Sequence, residues 1–202
     1  MTKNEFLRRF QINSLAPSTH KYRYNLPSKN ILLAQEKLSQ AAVLVPIIDH
    51  KTYLSVLLTK RAANLRSHGG QICFPGGRVD DTDTNLIFTA TREAHEEIDL
   101  LPKHCEIIGQ LHPYQTISGY VVNPIVAFIP ATLSLKANQD EVEEIFEVPL
   151  EHFLNVRNTQ SVWVEQQNHR YQVNFMPYNQ YNIWGATAAI LKDLAIHING
   201  QT

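Results

Sequence analysis

Within Arg92-Glu93-Ala94-His95-Glu96-Glu97, three carboxylates stand at i, i+3 and i+4 and share one face of any helix that carries them. Like charges at that spacing destabilise an isolated helix, which points to a cation that neutralises them. Carboxylate oxygens are hard ligands, so the expected cation is Mg²⁺ or Mn²⁺ rather than zinc. A solvated face is the plain alternative, because charge runs usually lie at the surface. Upstream, Phe74-Pro75-Gly76-Gly77 reads as a tight turn after an apolar run. Its glycines would let the backbone approach a metal or a phosphate closely. Arg61, Arg66 and His68 precede that turn, and guanidinium groups bind phosphate bidentately.

The elements around these residues follow a recognisable order. The acidic loop Arg78-Val79-Asp80-Asp81-Thr82-Asp83 separates the glycines from the acidic helix, and Asp99-Leu100-Leu101-Pro102 follows it. Loop, helix and loop together resemble the Nudix box of the Nudix hydrolases. The Arg92–Glu97 core fits fully. Three departures stand out. Asp83 occupies the place of the box's first glutamate, eight residues instead of seven separate it from Arg92, and Asp99 replaces the final glycine. A second motif lies just upstream: Leu57-Leu58-Thr59-Lys60-Arg61-Ala62, then Arg66, Gly70 and Phe74-Pro75-Gly76-Gly77. It is similar to the signature of the coenzyme A pyrophosphatase branch, which also tends to carry the longer, Asp-rich loop. Weaker resemblance continues through Ser118-Gly119-Tyr120, through Glu141-Val142 to Pro149-Leu150, and through Ile183-Trp184-Gly185-Ala186-Thr187.

The resemblance implies an α/β fold, a three-layer α/β/α sandwich around a mixed sheet. It implies hydrolysis of a diphosphate with Mg²⁺ or Mn²⁺ as cofactor. Glu93 and Glu97 would be the usual metal ligands and Glu96 a third, with Arg92 orienting the glutamates. The substrate implied is coenzyme A or an acyl derivative, contacted by Arg61, Arg66, Gly76 and Gly77. The products would be adenosine 3′,5′-bisphosphate and 4′-phosphopantetheine or its acyl form. Two alternatives are a broader Nudix pyrophosphatase acting on ADP-ribose or dinucleotides and a non-catalytic nucleotide-sensing module. The second would be expected to lose box glutamates, and here all three survive.

Other residues carry plainer expectations. Asp83 is read as a turn or helix N-cap residue. Asp99 is expected just past the helix in the left-handed region, which Asp tolerates better than most. Glu141, Glu143 and Glu144 form a second acidic group, read mostly as solvated, from which a further site carboxylate could come. Trp184 and Tyr120 are read as core or rim packing, with stacking on an adenine as the alternative.

Bulk properties narrow the field. A chain of 202 residues with net charge −1 and no basic run argues against nucleic acid as a main partner. Two cysteines without metal or disulfide spacing, and no apolar leader or membrane-length run, suggest a cytoplasmic protein. The expected partner is a small molecule, with no nucleic acid and no membrane, and a homodimer is left open. Residues 1–40 are expected to form a helical extension, with helices over Asn4–Ile12 and Asn30–Gln40, packed on a domain spanning 41–202. In that domain, strands are expected over 41–48, 53–59, 71–74, 106–111, 120–129 and 144–148. Helices are expected over 84–98 and 184–198, the first presenting Leu86, Ile87, Ala90 and Ala94 as its apolar face. A short helix over 149–154 and a hairpin over 162–175 complete the reading.

Overall fold

The computed structural model describes residues 1–14, 23–24, 38–65, 67–116, 118–166 and 169–200. Arg66 and most of the segment expected as a helix over 30–40 lie outside them; Ser39 and Gln40, at the end of that segment, begin a strand. The described chain opens with helix α1 (Lys3–Ser14) and the two-residue strand β1 (Arg23–Tyr24). Strands β2 (Ser39–Asp49) and β3 (Leu54–Arg61) form a hairpin, followed by the short β4 (Ile72–Cys73) and β5 (Gly76–Arg78). Helix α2 (Leu86–Ile98) comes next, then β6 (Glu106–Gln110), β7 (Tyr114–Gln115), β8 (Tyr120–Pro130) and β9 (Val142–Pro149). Helix α3 (Leu150–Leu154), the hairpin β10 (Gln160–Gln166) and β11 (His169–Phe175), and helix α4 (Gly185–Asn199) complete it.

The nine-stranded sheet is mixed. β2 and β8 run parallel along eleven residues each, while β3 lies antiparallel to β2 on its other side. Apolar residues on β2 alternate between two cores because both faces of a covered sheet must be apolar. Ala42, Leu44 and Ile48 join Ala90, Ala94 and Ile98 of α2 on one face. Val45 and Ile47 join Phe6 and Phe10 of α1 and the Ala188, Leu191, Leu194 and Ile198 stripe of α4 on the other. Phe6 and Phe10 are buried, and burial at that level contributes about 1.5–3 kcal/mol each. The result is three layers, α/β/α, and no helix among the described residues is long and apolar enough to cross a membrane.

Two local expectations need correction. Gly76 and Gly77 form an edge strand rather than a tight turn: Val43 pairs with Gly76 and Ala42 with Gly77. A glycine pair offers no side-chain alternation from which a strand can be read. Ile87 is exposed instead of lying on the apolar face of α2, which is built from Ala90, Ala94 and Ile98.

The end of α2 is set by Asp99, at φ 57° and ψ 30°. Its N–H donates to the carbonyl of His95, and Leu100, fully buried, donates to that of Ala94. Asp99→Gly removes the cost of a left-handed Asp and a negative charge at a helix C-terminus, but loosens the unfolded chain. These terms oppose one another, so chemical denaturation should show a gain of no more than about 1 kcal/mol. Metal affinity should be unchanged; a large fall would place Asp99 in the site.

Candidate active site

The small residues Ala90 and Ala94 let α2 lie close against β2 and β5, which brings its acidic face to the glycine strand. Glu97 is buried at 2 % exposure, and its Oε2 accepts from the Gly76 N–H at 3.2 Å. Its Oε1 lies 3.6 Å from Nη1 of Arg61, at the end of β3. Glu93, one turn earlier, lies over Gly77: a Cβ there would meet the Glu93 carboxylate at 2.5–2.6 Å. A Cβ at Gly76 would instead strike the β2 backbone, 2.5 Å from the Ala42 carbonyl oxygen. Each glycine is therefore required by a different neighbour.

Arg92 organises the acidic face. Its Nε and Nη2 donate to the two carboxylate oxygens of Asp83 at 2.9 and 3.0 Å. Nη2 also lies 3.0 Å from Glu93 Oε1, and Nη1 donates to Glu96 Oε2 at 3.0 Å. Asp83 is not the helix N-cap. That place belongs to Asn85, whose side chain accepts from Phe88 N–H at 2.9 Å. Asp83 is instead a buried clamp that also accepts from Thr89 Oγ1 and Asp80 N–H. The shorter acid, carried by the longer loop, thus meets Arg92 in a bidentate pair. Hydrogen bonds from Arg92 hold the Asp83 carboxyl well below the usual range against the cost of burial. The same bonds hold Arg92 firmly protonated.

The other two acids are pushed the opposite way. Burial raises Glu97 to about 8 in spite of Gly76 and Arg61, with Glu93 and Glu141 adding repulsion. Burial also raises Glu93, Arg92 opposes this, and Glu96 and Glu141 add to it. Glu141 is the member of the second acidic group whose charge acts on both of them. A bulge separates the three acids, because Lys60 pairs with Glu144 and Arg61 with Val142, leaving Glu143 as the extra residue. Glu143 then bonds Lys60 at 2.6 Å and Glu144 accepts from Tyr181 Oη at 2.6 Å. Glu141 alone of the three adds its charge to both Glu93 and Glu97. Its nearness to Val142, the partner of Arg61, is the signal that would have found it.

Among the described residues, no three His, Cys, Asp or Glu side chains converge as a ready cage. The donor chemistry still fits a hard dication. Glu93, Glu97 and Glu141 would supply oxygen ligands, and the buried Glu97, whose proton is retained to about pH 8, lacks sufficient positive charge nearby. Arg61 is its protein cation, and the Arg61 Nε is buried without a hydrogen-bond partner.

A cleft of about 730 Å³ reaches this site from the opposite face of the sheet, meeting it at Arg61, Gly76 and Gly77. The box glutamates do not line it, so β5 separates the acidic face from the cleft. Trp184 and Tyr120 stand at its rim, and His68 lines it with Nδ1 2.9 Å from Gln71 Oε1. Cys73 also lines it, but burial pushes its thiol up to about 11, so it is an inert thiol at neutral pH.

Two predictions follow from this geometry. Gly77→Ala should displace only the mobile end of Glu93, keeping the fold while lowering Mn²⁺ affinity about tenfold or more by calorimetry. Gly76→Ala, which meets backbone, should instead lower thermal stability; wild-type Mn²⁺ binding by a folded Gly77→Ala chain would remove Glu93 from the metal site. The second concerns pH. Glu97 binds its proton more tightly folded than unfolded, so its contribution is full below pH 4.5 and is lost as pH rises to about 8. Metal-free protein should lose Tm across that window. Mg²⁺ should raise Tm more at pH 8 than at pH 6, and Glu97→Gln should flatten both trends.

Comparison with known proteins agrees with the geometry. A family model described as the NUDIX domain matches residues 38–178. The uncharacterized Nudix hydrolase NudL of Pectobacterium atrosepticum is 40% identical over 198 residues, covering 98% of this chain and 95% of its own. NudL of an Enterobacter species is 39% identical over 198 residues, with the same two coverages of 98% and 95%. Among solved structures, a MutT/nudix family protein from Enterococcus faecalis aligns with a TM-score of 0.50 at 14% identity. It covers 99% of this chain and 80% of that one, a likeness of fold alone. With the family model and relatives of this identity spanning nearly the whole sequence, the chain belongs to the Nudix family and is a hydrolase of pyrophosphate bonds.

Proposed function

We propose that this hydrolase cleaves the diphosphate of coenzyme A or an acyl derivative, releasing adenosine 3′,5′-bisphosphate and 4′-phosphopantetheine or its acyl form. The observation that carries the reading is that its two motifs meet in space. Arg61, from the 57–77 signature, stands 3.6 Å from Glu97 of the box. Glu93 and Glu97 would hold the divalent ion, Mg²⁺ or Mn²⁺, with the exposed Glu96 available to a second. An ion bound there would neutralise phosphoryl oxygens and lower the pKa of water. Arg92 fixes the glutamate carboxylates in place through charge-assisted hydrogen bonds. Gly76 and Gly77 present their backbone to the cleft, where the phosphate would lie against them, and in this reading Arg61 and Arg66 take its oxygens. A glutamate of the cluster accepts the proton of the attacking water as the P–O–P bond breaks. In this reading residues 41–202 form the hydrolase domain in the cytoplasm, and α1, from the 1–40 extension, packs onto it through Phe6 and Phe10.

Turnover of coenzyme A, dephospho-coenzyme A and ADP-ribose, each with Mg²⁺ and with Mn²⁺, tests the substrate. Coenzyme A should give the highest kcat/KM, and a clear preference for ADP-ribose would overturn the reading. Glu97→Gln should lower kcat by about a hundredfold or more with the fold intact, since an amide lacks the charge a hard dication favours. Arg61→Ala should raise KM for coenzyme A about tenfold and change the other two less, because only coenzyme A carries the 3′-phosphate. Equal losses on all three substrates would mean that Arg61 serves Glu97 or the shared diphosphate.

A further inference from the structure

One part of the cleft wall is an aromatic plane. Trp184 precedes α4 and lines the cleft with 39 % of its surface exposed. It is not a loose rim residue. Its ring stacks on Phe175, with centroids 6.3 Å apart and planes 15° from parallel. The backbones of Phe175 and Trp184 form an antiparallel bridge, and Met176 N–H donates to the Ile183 carbonyl at 2.8 Å. On the other side, Thr187 Oγ1 donates to the Ile72 carbonyl at 3.0 Å, tying the first turn of α4 to β4 in the sheet. Trp184 is therefore held from both sides in sequence and backed by a second ring, while part of its own surface faces the cleft.

The same cleft is lined by the apolar Val122 and Val173 and by the cation Arg61. A large, rigid aromatic surface left open in an otherwise apolar pocket has an unmet preference for a flat apolar partner. A flexible chain gains little from a fixed plane; a planar heteroaromatic ring gains face-to-face stacking, because every base has a π-face. Gly76 and Gly77 line the same cleft, so one ligand can place its ring at Trp184 and its phosphates at the glycines.

We propose that Trp184 is a stacking platform for the base of the substrate's nucleotide half, and so a specificity-determining residue of the pyrophosphatase. This rests on the proposed function only for the identity of the base, which there is adenine.

The test reads binding in the full chain without turnover. The sequence has two tryptophans, so Trp163→Phe leaves Trp184 as the sole reporter. Adenosine 3′,5′-bisphosphate should quench its fluorescence, and ribose 5-phosphate should not. By calorimetry, Trp184→Leu should weaken adenosine 3′,5′-bisphosphate roughly ten- to a hundredfold. Trp184→Phe should retain most of the affinity, and 4′-phosphopantetheine should bind equally to all three chains. Absence of quenching overturns the proposal. So does a Leu variant that weakens 4′-phosphopantetheine instead, which would put the pantetheine arm against Trp184. Equal weakening of both ligands with a lower Tm would reduce Trp184 to a packing partner of Phe175 and also overturn it. Quenching by the adenine nucleotide without turnover of coenzyme A would sink the substrate reading and leave Trp184 standing. Turnover of coenzyme A without quenching would do the reverse.

Discussion

A carboxylate that has lost its water must be compensated, and Glu97 is where this chain meets that constraint. Its position follows from packing: two alanines bring α2 down onto β2, and the glycine strand lets the acid reach a backbone N–H. One amide and a guanidinium at 3.6 Å do not offset its burial beside Glu93 and Glu141, so its proton is retained to about pH 8. A bound cation would replace that proton, and the surrounding structure holds the acids together until one does.

Two clamps divide that work. On the solvent side, Arg92 binds a buried Asp and two glutamates, a network in which each charge has a partner. On the inner side, Arg61 faces Glu97 from a different strand, with its Nε left unpaired. The saturated arginine fixes geometry. The unsaturated one is better suited to change partners when a phosphate arrives, because it gives up less. Strand β5 lies between the two, with acids on one face of the sheet and the cleft on the other. In the proposed reading the scissile group sits at the glycine edge, where both are within reach.

What was legible in the sequence was whatever repeats. The stripe Ala188, Leu191, Leu194, Ala195 and Ile198 marks α4, and the carboxylate spacing marks α2, because helical periodicity leaves a trace in residue types. The β2–β3 hairpin shows as two apolar runs about a polar turn. Features made by long-range fit left no such trace. Gly76 and Gly77 carry no pattern, so their strand pairing with β2 was missed. Asp83 has the composition of a turn residue, and only its place beside Arg92 makes it a buried clamp. Glu141 is distinguished from Glu143 and Glu144 by one bulged residue. Trp184 read as packing, and it does pack, on one face.

The parallel ladder between β2 and β8 has a kinetic consequence. It joins Ser39 to Tyr120 and Asp49 to Pro130, so the intervening chain must close as one long loop before any rung forms. Arg61, the glycine strand and the whole of α2 lie inside that loop. The acids can be gathered by the local β2–β5 and α2 contacts, but the Tyr120 and Val122 wall of the cleft exists only once β8 is docked. During refolding, competence to bind a divalent ion can therefore precede competence to bind a nucleotide, and the interval between them would measure the time the chain takes to dock β8 on β2.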